Sequence, residues 1–359
     1  TFILKIPNGQ VATISGYVKI DNTILEESLI PLGNLYSHQL WLSNSQKAFQ
    51  NCKKIHGKVA VITIINDCCY GHWLLNVLTR LALLEMYGIE YDYLYVAHDK
   101  KYMKETLALW GINPNKIIQP FGETTFIQAD ELIMPCHLGV VKAESWQYKA
   151  PYIPFERYDK IIADLNCYKF PGFYKNPDDF IPLSIPLRNL IFRQYPCCNQ
   201  LFYKKDALEY IATKYIHLAQ KNIHKNFSKK IFISRQDIKN RQIDNEDEIF
   251  KLFQVFGFER YKLASLSYLE QVALFYNADI IIGTHGSGLA NIIYCKPSVT
   301  IIEIFQKLFC TDFYNLSQIL QFQNYIPIKT QHFGILDHQN YPIDIQIIKD
   351  FINTHKDKL

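Results

Sequence analysis

Hydrophobic and polar positions follow two different patterns along this chain, and these patterns predict strands and helices that follow one another. Short runs rich in β-branched residues lie at 59–65, 230–234 and 300–305, and their nearly continuous hydrophobicity is typical of strands covered on both faces. Residues 71–87 are instead hydrophobic on most sides of a helix. Because strands and helices follow one another, the pattern predicts an α/β protein with parallel sheets.

The first fifty residues have a different pattern. Short alternating pieces are separated by turn residues at Asn8, Gly9, Gly16 and 21–22. This spacing favours hairpins over a parallel unit, so this part is predicted to form a β-rich edge or lid.

Two helices of the second half have recognisable start signals. Asn245 precedes Glu248 by three residues, and Ser267 precedes Glu270 by the same spacing. In a capping box of this kind, each of the two side chains bonds to the backbone N–H of the other residue. Helices are therefore predicted to begin after Asn245 and after Ser267.

The length of 359 residues exceeds what a single hydrophobic core usually holds, so two domains are expected. Prolines and turn residues accumulate over 170–186, a composition typical of a linker. We therefore predict one domain over 1–190 and a second over 191–340. A last helix within 341–359 could pack back across both domains.

The most distinctive stretch of the second half is 280–294. A strand pattern breaks at Gly283, Gly286 and Gly288 and continues as a helix pattern, which predicts strand, tight turn and helix. The start of such a helix offers free N–H groups and partial positive charge, which suit a phosphate. The glycine spacing matches neither the dinucleotide fingerprint nor the P-loop. A phosphate site is one interpretation, and a structural turn with a hydrogen-bonded His285 is the other.

Composition narrows the class of protein. With 48% hydrophobic and 20% charged residues, the chain has the composition of an ordered globular protein. The net charge of +4 comes from dispersed Lys and Arg without a basic stripe, so no nucleic-acid partner is expected. The nine cysteines are an odd number and lack C-x-x-C spacing, which favours a reducing compartment and gives no zinc motif.

No hydrophobic run approaches the ~20 residues of a membrane-spanning helix. We therefore expect a cytoplasmic protein. Peripheral membrane association is an open alternative, and so is a leader or anchor upstream of Thr1, because the chain does not begin with Met.

The two alternating halves predict two Rossmann-like domains facing a cleft, with ligands beyond the carboxyl ends of the strands. Three strand ends of the second half should meet there: Ser234 with Arg235, the glycine turn, and Glu303. Arg235 and Arg241 can bind phosphate oxygens through their planar guanidinium groups. Glu303 is predicted to bind ribose hydroxyls, unless it is simply exposed at a strand end.

A longer ordered set of residues resembles glycosyltransferase family 61. The C-terminal half of that family is matched by 230–235, Arg241, Asn245, Glu246, Gln271, 278–279, 285–289, Asn291, Pro297 and Glu303. Upstream, 70–75 with Arg80 and Leu81 resembles the family's N-terminal signature, in which a helix carries His-Trp, an acidic residue and Pro-Arg-Leu. Here Asn76 stands at the acidic position and Thr79 at the proline position.

The resemblance implies a GT-B-like enzyme that transfers a sugar from a nucleotide sugar, often a UDP-sugar, with inversion of the anomeric centre. The nucleotide sugar is a co-substrate, so no cofactor is expected. The first domain would bind a glycan or other hydroxyl acceptor, and a role in surface polysaccharide or glycoconjugate synthesis follows by analogy. The residues predicted to bind the donor are Ser234, Arg235, Arg241, His285, Gly286, Ser287, Gly288, Leu289, Asn291 and Glu303.

Such a transfer needs a group that stabilises the departing diphosphate and a base that deprotonates the acceptor. The glycine turn with Arg235 can do the first. The sequence contains no Asp-x-Asp pair to hold a metal, so we expect a metal-independent enzyme. For the base, His72 is the first candidate because imidazole titrates near neutral pH, and Asp67 is the second. A capping or packing role for His72 is the alternative.

Three further residues of the first domain are predicted to lie on the acceptor side. Trp73 can stack on sugar rings, although a tryptophan on an apolar helix is more often part of the core. Asn76 replaces the family's acidic residue. Arg80 is either an ion-pair partner within its helix or a contact to the acceptor.

Two other classes of function compete. A catalytically inactive nucleotide-sugar or glycan binding module would keep the glycine turn and Arg235 and lose the base, and Asn76 gives a reason to consider it. An epimerase or dehydrogenase would need a glycine fingerprint after the first strand, which 64–71 does not contain. Glycosyl transfer is the favoured function.

Overall fold

The computed structural model covers the strand ends on which the functional prediction depends. It describes residues 2–13, 16–20, 23–25, 28, 52–64, 67–120, 126–136, 204–239, 241–305, 312–331 and 340–359. The proline-rich stretch 170–186 and the expected domain boundary near 190 lie outside the described residues.

The described residues contain thirteen β-strands. They are β1 (Ile3–Pro7), β2 (Gln10–Ala12), β3 (Val18–Ile20), β4 (Thr23–Ile24), β5 (Cys52–Val61), β6 (Tyr93–Tyr95), β7 (Ile117–Ile118), β8 (Phe126–Pro135), β9 (Lys230–Ser234), β10 (Glu259–Lys262), β11 (Ile280–Thr284), β12 (Thr300–Phe305) and β13 (Asn324–Lys329). The predicted strands at 230–234 and 300–305 are confirmed. The hydrophobic pattern did not predict β10 or β13.

The same ranges contain eight α-helices. They are α1 (Tyr70–His72), α2 (Leu78–Met86), α3 (Lys101–Trp110), α4 (Lys205–Asn222), α5 (Glu246–Gln254), α6 (Tyr268–Asn277), α7 (Asp312–Ile319) and α8 (Ile345–His355). A π-helical turn, Trp73–Val77, joins α1 to α2, and 3-10 helices form at Pro114–Lys116, Leu263–Ser265, Ser287–Tyr294 and Lys356–Lys358. No helix in the described part of the chain combines the length and hydropathy that crossing a membrane requires.

The first sheet combines a parallel centre with an antiparallel edge. Its parallel strands have the order β8-β5-β6-β7, and β1 to β4 add antiparallel strands beyond β8. This edge agrees with the hairpins predicted for the first residues. The chain runs outward from β5 through β6 to β7 and then returns to the other side of β5, so the strand order reverses between β5 and β8.

The second sheet consists of five parallel strands in the order β10-β9-β11-β12-β13. Its strand order reverses between β9 and β11. In open α/β sheets, ligands bind beyond the carboxyl ends of the strands at such a reversal. The residues at this point are the Ser234 and Arg235 turn after β9 and the glycine turn after β11.

Alternate side chains of the second sheet point to opposite faces, and both faces are covered. Ile231 and Ile281 belong to an inner hydrophobic cluster, whereas Phe232 and Ile302 belong to an outer one. Helices α5 and α8 contribute to the outer cluster. The last helix of the chain therefore packs on the outer face of the second sheet rather than across both sheets.

The inner cluster joins the two sheets. It contains Ala60 and Ile133 from the first sheet, Ile233 from the second, and Leu208 and Ile211 from α4 between them. Burial of each leucine or isoleucine side chain contributes about 1.5–3 kcal/mol, so this shared layer holds the two halves together. The chain is a mixed α/β protein with parallel sheets, as predicted.

The two predicted capping boxes have different outcomes. Helix α6 begins after Ser267, whose side chain accepts from the Glu270 N–H while the Glu270 carboxylate accepts from the Ser267 N–H at 2.9 Å, which confirms the prediction. Helix α5 begins after Asn245, but the Asn245 side chain bonds to the backbone N–H and C=O of Ile343 instead. The box predicted at Asn245 is wrong because this side chain joins α5 to the segment before α8.

Candidate functional site

A buried carboxylate organises the turn that follows β9. Glu246, at the start of α5, is 2% exposed, and its two oxygens accept hydrogen bonds from the Ser234 hydroxyl at 2.5 Å and the Arg235 N–H at 2.9 Å. Arg260 lies 3.7 Å from the same carboxylate. Glu246 was not among the predicted site residues. The available signal was that Glu246 is one of the residues that resemble glycosyltransferase family 61.

The Arg235 side chain packs directly against the glycine turn. Its Nε donates to the Arg241 carbonyl at 3.1 Å, and its NH1 lies only 1.8 Å from where a Cβ on Gly286 would stand. Residue 286 must therefore be glycine for the guanidinium to take this place. Burial, followed by the neighbouring charge of Arg241, lowers the pKa of Arg235 to about 10, so the group is cationic at neutral pH.

The other two glycines of the turn also permit close packing. A Cβ on Gly283 would stand 3.3 Å from the Leu289 side chain, and one on Gly288 would stand 2.9 Å from the Leu263 side chain. Leu289 itself is 1% exposed, so it packs beneath the turn. A side chain at any of these three glycines would therefore meet a neighbouring side chain.

The helix that follows the turn is a 3-10 helix, Ser287–Tyr294. Its first bonded amide is that of Leu289, which donates to the Gly286 carbonyl at 2.9 Å. The amides before it have no partner within the helix, as at any helix N-terminus. These amides and the Arg235 guanidinium present positive charge on the same side of the strand ends, which favours an anion.

His285 is held beneath the turn by a buried network. Its Nδ1 lies 2.6 Å from Glu303 Oε1, and Tyr325 donates to Glu303 Oε2. Glu303 is 0% exposed, so burial raises its pKa, and burial lowers the pKa of His285 to about 4. Direct contact between Glu303 and a ribose does not fit this position, because both oxygens are engaged inside the protein.

Asn291 joins the two halves of the protein rather than facing solvent. Its Oδ1 accepts from the Tyr70 hydroxyl at 2.5 Å, and its Nδ2 donates to Gln271 and to the Gly288 carbonyl at 3.2 Å each. Next to it, Ser287 Oγ lies 3.1 Å from Cys69 Sγ. The start of α1 therefore rests on the glycine turn.

The predicted base His72 and Asn76 form a pair across the π-helical turn. His72 Nδ1 lies 3.2 Å from Asn76 Oδ1, and the net effect of burial and of this weaker, opposing hydrogen bond is to lower the pKa of His72. Trp73 is fully buried and donates to Thr106 Oγ1 at 2.9 Å. Stacking of Trp73 on a sugar does not fit this position, so its place in the core is the correct interpretation. π-Helical turns are frequent at functional sites.

Arg80 fills the strand reversal of the first sheet. It is 0% exposed, and its guanidinium donates to the carbonyls of Ile62 and Thr63 after β5 and of Pro135 at the end of β8. Burial lowers the pKa of Arg80 to about 9. Neither of the two predicted roles fits, because the partners are backbone carbonyls rather than a carboxylate, and the side chain does not reach the surface.

A second histidine–carboxylate pair lies at the carboxyl end of the first sheet. His98 Nδ1 lies 2.6 Å from Asp67 Oδ1, with Asp67 0% and His98 31% exposed at the side chain. Burial raises the pKa of Asp67 to about 6, against the lowering effect of the His98 ring. Asp67 was predicted, but His98 was not. Its place directly after β6, where parallel strands end, was the available signal.

Of the predicted donor residues, the structure places Ser234, Arg235, Arg241 and the 285–289 turn around the reversal between β9 and β11. Asn291 is instead buried against the first half. The structure places Arg80, Trp73 and Glu303 inside the protein. Among the residues that the structure describes, no group of three or more His, Cys, Asp or Glu side chains could hold a metal ion.

Comparison with known proteins identifies the family of this chain. No curated protein matches the chain at a significant level. The family model described as Glycosyltransferase 61 matches residues 70–302, which is more than half of the chain and includes both His72 and the glycine turn. The chain therefore belongs to the glycosyltransferase 61 family and is a glycosyltransferase.

Proposed function

We propose that this chain transfers a sugar from a nucleotide sugar, a UDP-sugar in the simplest case, to a hydroxyl of a glycan, with inversion and without a metal. The observation that carries the proposal is the Arg235 guanidinium packed on Gly286 at the strand reversal of the second sheet. The acceptor is proposed to be a surface polysaccharide or glycoconjugate that is extended in the cytoplasm, at the membrane periphery.

Loss of the diphosphate is the step that this arrangement can assist. As the bond between sugar C1 and the β-phosphate oxygen breaks, negative charge grows on the leaving diphosphate. Arg235 and the amides at the start of the Ser287–Tyr294 helix are already in place, so their favourable interaction needs no rearrangement. Preorganised donors of this kind are each worth about 3–4 kcal/mol at a transition state.

The packing of α1 on the glycine turn supports a GT-B-like arrangement, in which two Rossmann-like halves meet at the substrates. Tyr70 donates a hydrogen bond to Asn291, and Cys69 contacts Ser287, so residues of the first half lie directly against the glycine turn. Inversion requires the acceptor to approach C1 from the face opposite the diphosphate. The first half is the side from which such an approach is available.

Metal independence is the further part of the proposal. In a metal-dependent transferase, a divalent cation neutralises the diphosphate. Here Arg235, with Arg241 beside it, supplies positive charge at the same place. A guanidinium binds two phosphate oxygens in one plane, so it can hold the diphosphate without a cation.

An inactive binding module is the second candidate. It is favoured by Asn76, whose amide replaces the family's acidic group beside His72 and cannot stabilise a charged imidazolium as a carboxylate would. Such a module would bind the nucleotide sugar and transfer nothing.

The test is calorimetric titration with UDP and a panel of nucleotide sugars in EDTA, followed by an assay of transfer to glycan acceptors. Arg235→Ala should weaken the binding of the donor about 30-fold, the loss expected for a charge-assisted hydrogen bond of about 2 kcal/mol. Lys251→Ala is the control, because this exposed cation on α5 lies in the same half. An NMR assignment of the product anomer tests inversion.

Three outcomes would contradict parts of the proposal. Binding that appears only with added Mg²⁺ or Mn²⁺ rejects metal independence. An Arg235→Ala variant that binds like Lys251→Ala rejects the site. Binding without transfer to any acceptor favours the module.

A further inference from the structure

The buried Asp67 carboxylate orients the imidazole ring of His98. Asp67 follows β5 and His98 follows β6, and these neighbouring parallel strands bring the two residues together at the same edge of the sheet. The Nδ1 to Oδ1 distance is 2.6 Å, and the carboxylate is wholly buried. An imidazole held in this way donates its Nδ1 proton to the carboxylate.

The contact with Asp67 uses only one of the two ring nitrogens of His98. Its Nε2 forms no hydrogen bond to any described residue, and the side chain is 31% exposed. With the proton on Nδ1, Nε2 carries a lone pair. His98 therefore presents a proton acceptor, and Asp67 stabilises the cation that forms when the proton arrives.

A short stretch of chain connects the Asp67–His98 pair to the glycine turn. Two residues after Asp67, the Cys69 thiol contacts Ser287 Oγ at 3.1 Å. Between them, the Cys68 carbonyl accepts a hydrogen bond from Tyr102 at 2.6 Å, which ties the segment to α3. The segment that carries Asp67 therefore contacts both α3 and the glycine turn.

We infer that His98, oriented by Asp67, is the base that deprotonates the acceptor hydroxyl, and that His72 is not. This inference rests on the proposed function and names the residue that completes it. The acceptor oxygen forms its bond to sugar C1 while its proton moves to His98 Nε2. The bond from C1 to the diphosphate breaks, and the electron pair leaves with the nucleoside diphosphate.

The partners of the two histidines decide between them. A base must be stable after it gains the proton, and the partner of His98 is a carboxylate, whereas the partner of His72 is the neutral amide of Asn76. A carboxylate attracts the imidazolium charge, and an amide oxygen offers only a dipole. Asp67 is a positioning residue here, because it is buried and cannot touch the acceptor.

Burial favours the neutral form of three titratable groups next to the pair. Burial raises the pKa of Tyr95 on β6, of Tyr102 on α3 and of Cys68 beside Asp67. The charge of Lys100 opposes this effect at Cys68 but is outweighed by burial. These three groups therefore do not compete with the pair for the proton of the acceptor.

The test compares His98→Ala with His56→Ala. His56 also pairs with an aspartate, Asp130, but at 3.5 Å on the exposed first half of β5, so it is a matched control. We expect His98→Ala to lower kcat by about 10²- to 10⁴-fold, the usual contribution of a general base, without a change in the Kd for the nucleotide sugar. Added imidazole should restore part of the rate.

Asp67→Asn gives a second, conservative readout. It should lower kcat while the Kd for the nucleotide sugar stays unchanged, because the charge that favours the imidazolium is gone. A purely structural role for the pair would leave the His98→Ala variant without any response to added imidazole.

The outcomes separate this inference from the function on which it rests. A wild-type protein that transfers sugar, with His98→Ala as active as His56→Ala, overturns the role of His98 alone. Loss of activity in His72→Ala with rescue by imidazole would assign the base to His72 instead. A wild-type protein that binds no nucleotide sugar overturns the proposed function and this role together.

Discussion

The two sheets place an arginine at the same topological position and use it in opposite ways. At the reversal of the first sheet, Arg80 is completely buried and gives its N–H groups to three backbone carbonyls at the ends of β5 and β8. At the reversal of the second, Arg235 lies against Gly286 beside backbone amides, which are also positive. Arg80 is therefore saturated by backbone carbonyls, whereas Arg235 is the arginine that we propose binds an anion.

The histidine–carboxylate pairs differ in the same sense. In the second half, His285 and Glu303 are both buried, and burial pushes their pKa values towards the uncharged forms. In the first half, Asp67 is buried but the His98 ring reaches solvent. The half with the fully buried Arg80 thus carries the more exposed histidine.

The largest effect on stability is expected from removal of the buried Arg80. Arg80→Leu would leave the carbonyls of Ile62, Thr63 and Pro135 without their donors inside the protein. Each unsatisfied buried group costs about 1–3 kcal/mol, so the free energy of unfolding should fall by about 3–5 kcal/mol. Urea unfolding measures this loss. Arg235→Ala should change it by less than about 1 kcal/mol, and equal losses in both variants would erase the contrast between the two arginines.

The buried histidine should make stability depend on pH. An unfolded histidine titrates near 6.5, whereas burial lowers the pKa of folded His285 to about 4. Between these values the unfolded state binds more protons, so the wild type loses stability relative to His285→Asn as the pH falls from 6.5 to 4. The difference in unfolding free energy should reach about 3 kcal/mol. Parallel stability curves would show that the ring is not kept neutral by burial.

A smaller effect is expected from a methyl group at the turn. In Gly286→Ala, the new Cβ would displace the Arg235 guanidinium, and the Kd for UDP should rise about 30-fold, or ~2 kcal/mol. Because both changes remove the same interaction, Gly286→Ala combined with Arg235→Ala should bind no more weakly than either alone. Additive losses in calorimetric titration would mean that the glycine acts separately from the arginine.

The smallest effect concerns the contact between the halves. Tyr70→Phe removes the hydroxyl that donates to Asn291 and leaves a buried amide oxygen without its donor. The free energy of unfolding should fall by about 1–2 kcal/mol. Tyr102→Phe, which loses an exposed bond to the Cys68 carbonyl, serves as the control and should cost less. A larger loss from Tyr102→Phe would place the important contact at α3 instead.

Local sequence signals predicted many of the elements. The Ser267 box is confirmed because its two partners lie three residues apart and bond to each other at the helix start. The strand and turn at 280–288 are present because β-branched residues and glycines favour them wherever they occur. Strand β13 was missed because Pro327 interrupts its pattern, and proline is tolerated there since β13 lies at the sheet edge.

Side-chain roles were harder to predict than elements. Asn245 has the same local signal as Ser267, yet its amide bonds to Ile343, 98 residues away in the chain. Glu303 looks like an exposed strand-end carboxylate in sequence, yet Tyr325 and His285 cover it. The family resemblance pointed to the glycine turn, whereas burial decided which of its residues are accessible.

The sequence by itself determined the alternation of strands and helices, the glycine turn with its arginine, and membership of the glycosyltransferase 61 family. Each of these depends on residues that are neighbours in the chain or on an ordered set of motifs. Only the tertiary structure decided that Arg80 is sealed while Arg235 lines a turn, and that Asp67 holds His98. The physical reason is that burial and partner set the charge and reach of a polar side chain, and both come from strands distant in sequence.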